Sequence, residues 1–323
     1  MNFKYLFKVR RKCFTTLALT SVMVFHTFSQ QTPQYPLFHR MVSPFIFNPA
    51  IAGSKDFFSV DISAGKFGKA NSQLVSGNMR LSKKPLIYHS SPPIPQFTNI
   101  GVGAYIFSDY DGATRKTGFG ATGSYHLPLD KDGLSFLSAG VTAKVIYNDY
   151  AGNTDLGEAP STEFFPDFDA GLYYYSPTLY AGISATNLMG TPSNKDTLST
   201  YSIPVSRQLF FMAGYKIVLS RQKNIVLEPV IILNSDDSFS GEVIDMIQPA
   251  LKLYAGNFCA GTYFNDFDRL SFFFQYKYNS FYVGAYFSLP HNEPFYKSPL
   301  IEEIAVGINL SSIKSGISRM YHW

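Results

Sequence analysis

The sequence predicts an all-β protein: a transmembrane antiparallel up-and-down β-barrel of about 14 strands with an N-terminal plug or lid segment. Three observations carry this prediction. Segments alternate with period two between an apolar face and a face of glycine, serine, threonine and scattered charge. Aromatic residues reach 16% while charged residues stay at 15%, well below the roughly 25% of soluble domains. No apolar stretch beyond the first thirty residues approaches the ~20 residues of a membrane helix, so a crossing has to be made with strands.

The N-terminus comes first. Lys4, Lys8, Arg10, Arg11 and Lys12 precede the apolar run CFTTLALTSVMVF, after which HTFSQQTPQ turns polar. A basic, then apolar, then small-residue order is that of a secretory signal peptide, cleaved after Ser29, so residues 1–29 direct export. Cys13 lies inside this segment, leaving Cys259 alone in the mature chain, and no disulfide framework follows. Residues 30–57, rich in proline and aromatics, do not read as strands and form the plug or periplasmic segment. The barrel itself is expected over residues 58–323.

The strands follow. Val75, Gly77, Met79 and Leu81 alternate with Leu74, Ser76, Asn78 and Arg80. Ile100, Val102, Ala104 and Ile106 alternate with Asn99, Gly101, Gly103 and Tyr105. Leu137, Ala139, Val141, Ala143, Val145 and Tyr147 form one face of a long strand, opposed by Ser138, Gly140, Thr142 and Lys144. Leu209, Phe211, Ala213, Tyr215, Ile217 and Leu219 face away from Met212, Gly214 and Lys216, and Phe281, Val283, Ala285 and Phe287 oppose Tyr282, Gly284, Tyr286 and Ser288. In YYYSPTLYAGISATNLMG, Leu179 to Ala185 would face lipid and Tyr180 to Thr186 the lumen. Tyr173 to Tyr175 are expected at the headgroup level, where a ring with a polar tip is comfortable. Two proline-rich stretches, Leu81–Phe97 and Leu156–Gly171, read as loops, the second running into a strand near Asp169. Asp109–Gly118 begins like a calcium loop but lacks the later acidic ligands, and reads as a hairpin turn.

Charges on the less apolar phase need a wet or internally paired lumen. Lys144, Asp169, Lys216, Glu228 and Lys277 are the lumen-facing candidates. The simpler reading pairs them across the interior; the other makes them line a conduit. Catalytic constellations are missing: His39, His89, His126, His291 and His322 are scattered without metal-ligand spacing, and no nucleophile elbow, phosphate loop or dinucleotide fingerprint occurs. The expectation is a non-enzyme without cofactor or metal. The net charge of +4, with no basic cluster in the mature chain, excludes nucleic acid as a partner.

A family becomes visible in three places. QQTPQYPLFHRMVSPFIFNPAIAGS (Gln30 to Ser54) resembles the mature start of the PorP/SprF family of outer-membrane barrels of the type IX secretion system, with Asn48, Pro49, Ala50 and Gly53 in its Asn-Pro-Ala-x-x-Gly element. PDFDAGLYYYSPTLYAGISATNL is a second match, through Pro166, Asp167 and Gly171. GVGAYIFSDYDGATRKTGFGATGSYHLPL is a weaker third. The chain's end, SSIKSGISRMYHW, departs from the family pattern. The resemblance implies an integral outer-membrane protein, surrounded by outer-membrane lipids, that delivers or retains secreted clients bearing a C-terminal sorting domain. It also implies contact with periplasmic secretion components, including a peptidoglycan-binding lipoprotein. The seven motif residues then act as partner contacts or as structural elements: Asn-Pro fixes an extended-to-turn transition and Gly53 permits a tight bend. A channel for small solutes or apolar ligands is the alternative function.

Overall fold

The computed structural model describes residues 41–55, 57–67, 70–82, 97–110, 114–130, 134–152, 160–190, 207–236, 246–265, 269–290 and 301–310. Residues 1–40, with the expected signal segment, and most of the first proline-rich stretch lie outside them. Two single 3₁₀ turns, Pro44–Ile46 and Pro49–Ile51, come first. The strands are β1 (Phe58–Phe67), β2 (Ala70–Ser82), β3 (Phe97–Tyr110), β4 (Thr114–Pro128) and β5 (Phe136–Tyr150). They continue with β6 (Ser161–Tyr175), β7 (Leu179–Thr186), β8 (Gln208–Tyr215), β9 (Ile217–Ser220) and β10 (Ile225–Asp236). The last are β11 (Ile247–Ala255), β12 (Phe258–Asn265), β13 (Arg269–Tyr278), β14 (Phe281–Pro290) and β15 (Ile301–Leu310).

Neighbours along the chain pair antiparallel, and β1 pairs with β15 from Phe58↔Leu310 to Phe67↔Ile301, which closes the sheet. β9 is not a separate member of the ring. Val230 faces Gly214 and Leu227 faces Ile217, so the register runs through Lys216 without a shift and β9 prolongs β8 along β10. The result is a closed 14-strand antiparallel barrel with one short extra segment. Closure matters physically, because an open edge would leave backbone N–H and C=O groups unpaired in hydrocarbon.

The side-chain pattern inverts that of a soluble protein. On the outer face Ile62, Val141, Phe164, Phe274 and Ile304 are each more than half exposed, as lipid-facing residues should be. Their neighbours in sequence are buried: Asp61, Ser63, Thr142 and Ala305. In β5 every lumen-facing position from Ser138 to Asn148 is buried, and the alternation expected there holds residue by residue. β7 also follows the expected phase, with Leu179 and Ile183 exposed and Tyr180, Ser184 and Thr186 buried.

Two expectations fail. Tyr173 and Tyr175 do not sit at the headgroup level on the outer wall; they stack on each other with centroids 5.5 Å apart, and Tyr173 is buried in the lumen. The cause is parity. Leu172 points outward, so residues 173 and 175 must point inward. The second proline-rich loop is also shorter than read, because β6 already begins at Ser161 and carries Pro166 on its outer face opposite Val145. Pro166 lies beyond the register of β6 with β7, which ends at Ala170↔Ala185. That stretch of β6 is an edge, where a missing N–H is tolerated.

Candidate functional site

Hydrogen-bond needs explain how residues 41–55 sit in the lumen. Asn48 is extended (φ −130°, ψ 101°), and Pro49 starts the second 3₁₀ turn with φ already fixed. The Asn48 Oδ1 caps that turn by accepting from Ala50 N at 3.0 Å. Its Nδ2 donates to the wall, to Leu172 O at 3.0 Å and Ile183 O at 3.4 Å. The turn's own carbonyls would be buried without partners. The wall supplies hydroxyls: Ser184 Oγ donates to Phe47 O (2.6 Å), Ser138 Oγ to Ala50 O (2.7 Å) and Ser124 Oγ to Ala52 O (2.6 Å). Gly53 then bends the chain at φ +70°, where a Cβ would meet the Gly101 Cα at 2.6 Å.

Backbone can approach backbone here because the wall has no side chains in the way. A Cβ on Gly140 would strike Pro49 and Ala50, one on Gly171 the Asn48 amide, and one on Gly101 the Ala52 carbonyl. Small residues are placed where close approach is required. Apolar contacts complete the seat: Phe45, fully buried, meets Tyr105 edge-on at 6.1 Å, and Phe47 meets Phe210 at 5.3 Å. Ser43 reaches the other side of the lumen through Ser76 Oγ (2.5 Å) and Asp61 Oδ2 (3.4 Å). Asn48 is therefore brought against Gly171, Pro49 and Ala50 against Gly140, and Gly53 against Gly101. Pro166 and Asp167 lie elsewhere.

A serine and a histidine meet in this seat. Ser124 Oγ lies 3.1 Å from His126 Nε2, and Tyr175 OH lies 3.0 Å from Nδ1. The spacing suits a nucleophile and its base, but the protonation does not. His126 Nε2 faces the Ala52 carbonyl at 2.9 Å, and a carbonyl can only accept, so Nε2 carries the proton and Nδ1 accepts from Tyr175. A protonated Nε2 cannot take a proton from Ser124, whose hydroxyl is itself given to Ala52 O. The pair is a clasp on the turn rather than a hydrolytic dyad. Sequence reasoning passed over Ser124 and His126 as site residues, although they stand together in the Ser-Tyr-His element.

Lys144, Asp169 and Glu228 are partnered across strands. Lys144 Nζ binds Asp169 Oδ1 at 2.6 Å and Asn187 Oδ1 at 2.7 Å, with Asp167 Oδ2 at 3.8 Å. Asp169 also accepts from Asn187 N at 2.9 Å, and Asp167 Oδ1 from Phe168 N and Met189 N. This knot ties β5, β6 and the exit of β7, where Asn187 adopts φ +58°. Glu228 Oε1 accepts from Tyr180 OH (2.8 Å) and Lys252 Nζ (3.1 Å), with Lys216 on the opposite neighbouring strand. Lys277 is half-buried near the end of β13. Lys55, just after the turn and before β1, lies over the Phe57 ring at 5.4 Å. Burial pulls its ammonium down to about 8, partly offset by Asp61. Among the described residues no group of His, Cys, Asp or Glu is placed to hold a metal ion, and Cys259 is a buried free thiol.

The remaining arc fills itself. Phe273 and Tyr286 stack 5.9 Å apart and are essentially inaccessible, Tyr263 OH donates to Gln248 Oε1 at 2.5 Å, and Tyr282 OH donates to Asp61 Oδ1 at 2.5 Å. Chemically, the interior is a fastened plug on one side and packed aromatics on the other.

Known proteins give a family and a set of barrels. Residues 27–307 match the family described as type IX secretion system membrane protein PorP/SprF. No curated protein matches the chain. Solved structures similar to it include the Acinetobacter baumannii outer membrane protein Omp33, at 12% identity and TM-score 0.41 over 80% of this chain and 99% of that one. The CymD monoaromatic hydrocarbon channel matches at 10% identity and TM-score 0.46, covering 83% and 91% respectively. The KdgM porin matches at 9% identity and TM-score 0.37, covering 79% and 99%.

Proposed function

The chain belongs to the PorP/SprF family of type IX secretion system membrane proteins, and from that premise we propose that it is a non-enzymatic outer-membrane scaffold. In this reading it supports secretion or cell-surface retention of client proteins by binding a client's C-terminal domain, periplasmic components of the system, or both. One observation carries the reading: the lumen is occupied by a turn whose carbonyls are individually taken up by wall serines. A conduit needs a clear path. A docking platform needs a rigid frame, and a fastened plug together with a closed hydrogen-bonded ring provides one. The protonated Nε2 of His126 argues in the same direction, against ester hydrolysis at Ser124.

The partners are expected at the ends of the barrel, because the outer face is committed to lipid and the middle of the lumen to the plug. Gentle detergent extraction of the full-length protein, followed by mass spectrometry of what remains bound, tests this. Secretion-system components or large surface proteins are expected in the eluate. Recovery of the barrel alone, from cells that are secreting, would remove the proposal.

A further inference from the structure

Two neighbouring seams of the ring are unequal. β5 and β6 stay in register over their whole length, from Phe136↔Tyr175 to Tyr150↔Ser161. On its other side β6 pairs with β7 only from Tyr175↔Tyr180 up to Ala170↔Ala185. Above that pair the register is lost. Leu188 N still reaches Phe168 O at 2.9 Å, but Met189 N finds the Asp167 side chain, at 3.0 Å, instead of a backbone carbonyl. From Pro166 to Ser161, β6 faces no strand on this side among the described residues. The β6–β7 seam therefore ends within the height of the wall, and a ladder frays from such an end, where a pair has a neighbour on one side only.

Two fastenings sit where fraying would start. The upper one is the lysine knot: Asp169 of β6 accepts from Asn187 N at the exit of β7 at 2.9 Å, and both side chains hold Lys144. The lower one comes from the plug. Asn48 Nδ2 donates to Leu172 O at 3.0 Å and to Ile183 O at 3.4 Å, the carbonyls of two residues directly opposite each other across the seam. The amide lies between Gly171 of β6 and Gly182 of β7, where a Cβ on the first would strike its Oδ1 and a Cβ on the second its Nδ2. Ser184 of β7, opposite Gly171, takes up the preceding carbonyl, Phe47 O, at 2.6 Å. One plug side chain thus spans both strands at their short ladder.

We propose that Asn48 is a staple of the β6–β7 seam: with the Pro49–Ile51 turn seated the seam stays zipped, and with the turn released its upper pairs part. Seating of the plug and closure of the wall are then one conformational event rather than two. Parting is confined to the pairs next to Ala170↔Ala185. A fully open edge in hydrocarbon would leave N–H and C=O groups without partners, whereas these pairs adjoin the polar Lys144–Asp169 cluster in the lumen. Release of the plug lengthens the stretch of β6 that faces no strand. This holds for the barrel whether or not it acts as a scaffold.

The test is amide hydrogen exchange of the full-length protein in nanodiscs, read by mass spectrometry. Asn48→Ser is the informative variant, since serine caps a turn about as well as asparagine but has no amide to span the two strands. Amides of residues 170–175 and 180–185 should exchange about tenfold faster than in wild type, the effect of two lost hydrogen bonds. Those of β13, on the far wall, should keep their wild-type protection, which excludes general misfolding. Gly140→Val unseats the turn from β5 without touching Asn48, and should speed exchange in the same two segments. Wild-type exchange across β6 and β7 in Asn48→Ser, or acceleration spread evenly over all strands, overturns the proposal. So does a seam that stays protected in Gly140→Val while a cysteine at Ala50 has become reactive to a water-soluble maleimide.

Discussion

The lumen wall of β3–β7 and that of β10–β15 solve the same problem in opposite ways. On the first, Gly101, Ser124, Ser138, Gly140, Gly171 and Ser184 are small, and the space is taken by a separate piece of chain. On the second, Tyr254, Tyr263, Phe273 and Tyr286 fill the space with their own rings. A barrel of this circumference has an interior to fill. Self-filling rings make a fixed interior; a borrowed segment is held by a countable set of hydrogen bonds and fixes the N-terminal chain relative to the strands.

Four perturbations separate the two halves, taken here from largest to smallest effect. Phe273→Ala should cost about 3–5 kcal/mol of barrel stability, since it removes a buried ring without replacing its volume. Urea titration in lipid should show that loss, while a cysteine at Ala50 stays protected from a water-soluble maleimide. Gly140→Val should cost roughly 3 kcal/mol by overpacking against the Pro49–Ala50 backbone, and here the Ala50 cysteine should become reactive. If both variants expose it equally, the two halves are not independent.

Asn48→Ala removes the cap of the second turn and two bonds to the wall. A loss of about 1–2 kcal/mol in plug docking is expected, read from the unlabelled fraction of the same cysteine over time. The smallest effect is that of pH. Lys55 titrates near 8 when docked against an ordinary 10.5, so the released segment binds more protons between those values. Docking should therefore strengthen as pH rises through that window and be flat below it. Between pH 7 and 9 the gain should be about 1 kcal/mol, and Lys55→Met should abolish the slope.

Much of the fold was legible because a barrel wall obeys one rule at every residue. Period-two alternation identified Val141 and Ile183 as outward and Thr142 and Ser184 as inward, and the closed 14-strand ring agrees with the expected number. Where the reading failed, a local habit overrode the rule. Tyr173 to Tyr175 were assigned by what tyrosines favour at an interface, although the inward parity of Asp169 and Gly171 had already fixed two of them in the lumen. Pro166 was placed inside the Leu156–Gly171 loop, when it stands in a strand, paired with Val145 on one side and beyond the register with β7 on the other. The seat of the plug was hidden for another reason. Serines 72, 88 and 137 residues away from their carbonyl partners satisfy them, and no local pattern records such a pairing. What the sequence did offer was the Asn-Pro-Ala-x-x-Gly element, whose fixed φ at Pro49 and left-handed bend at Gly53 are local needs.

The central claim is that the Asn48–Gly53 turn closes the lumen, and current across a planar bilayer tests it most directly. Full-length wild-type protein should insert without a steady open-pore conductance, and discrete open steps should appear in Gly140→Val. A stable ohmic pore in the wild type, unchanged by that substitution, would contradict the account.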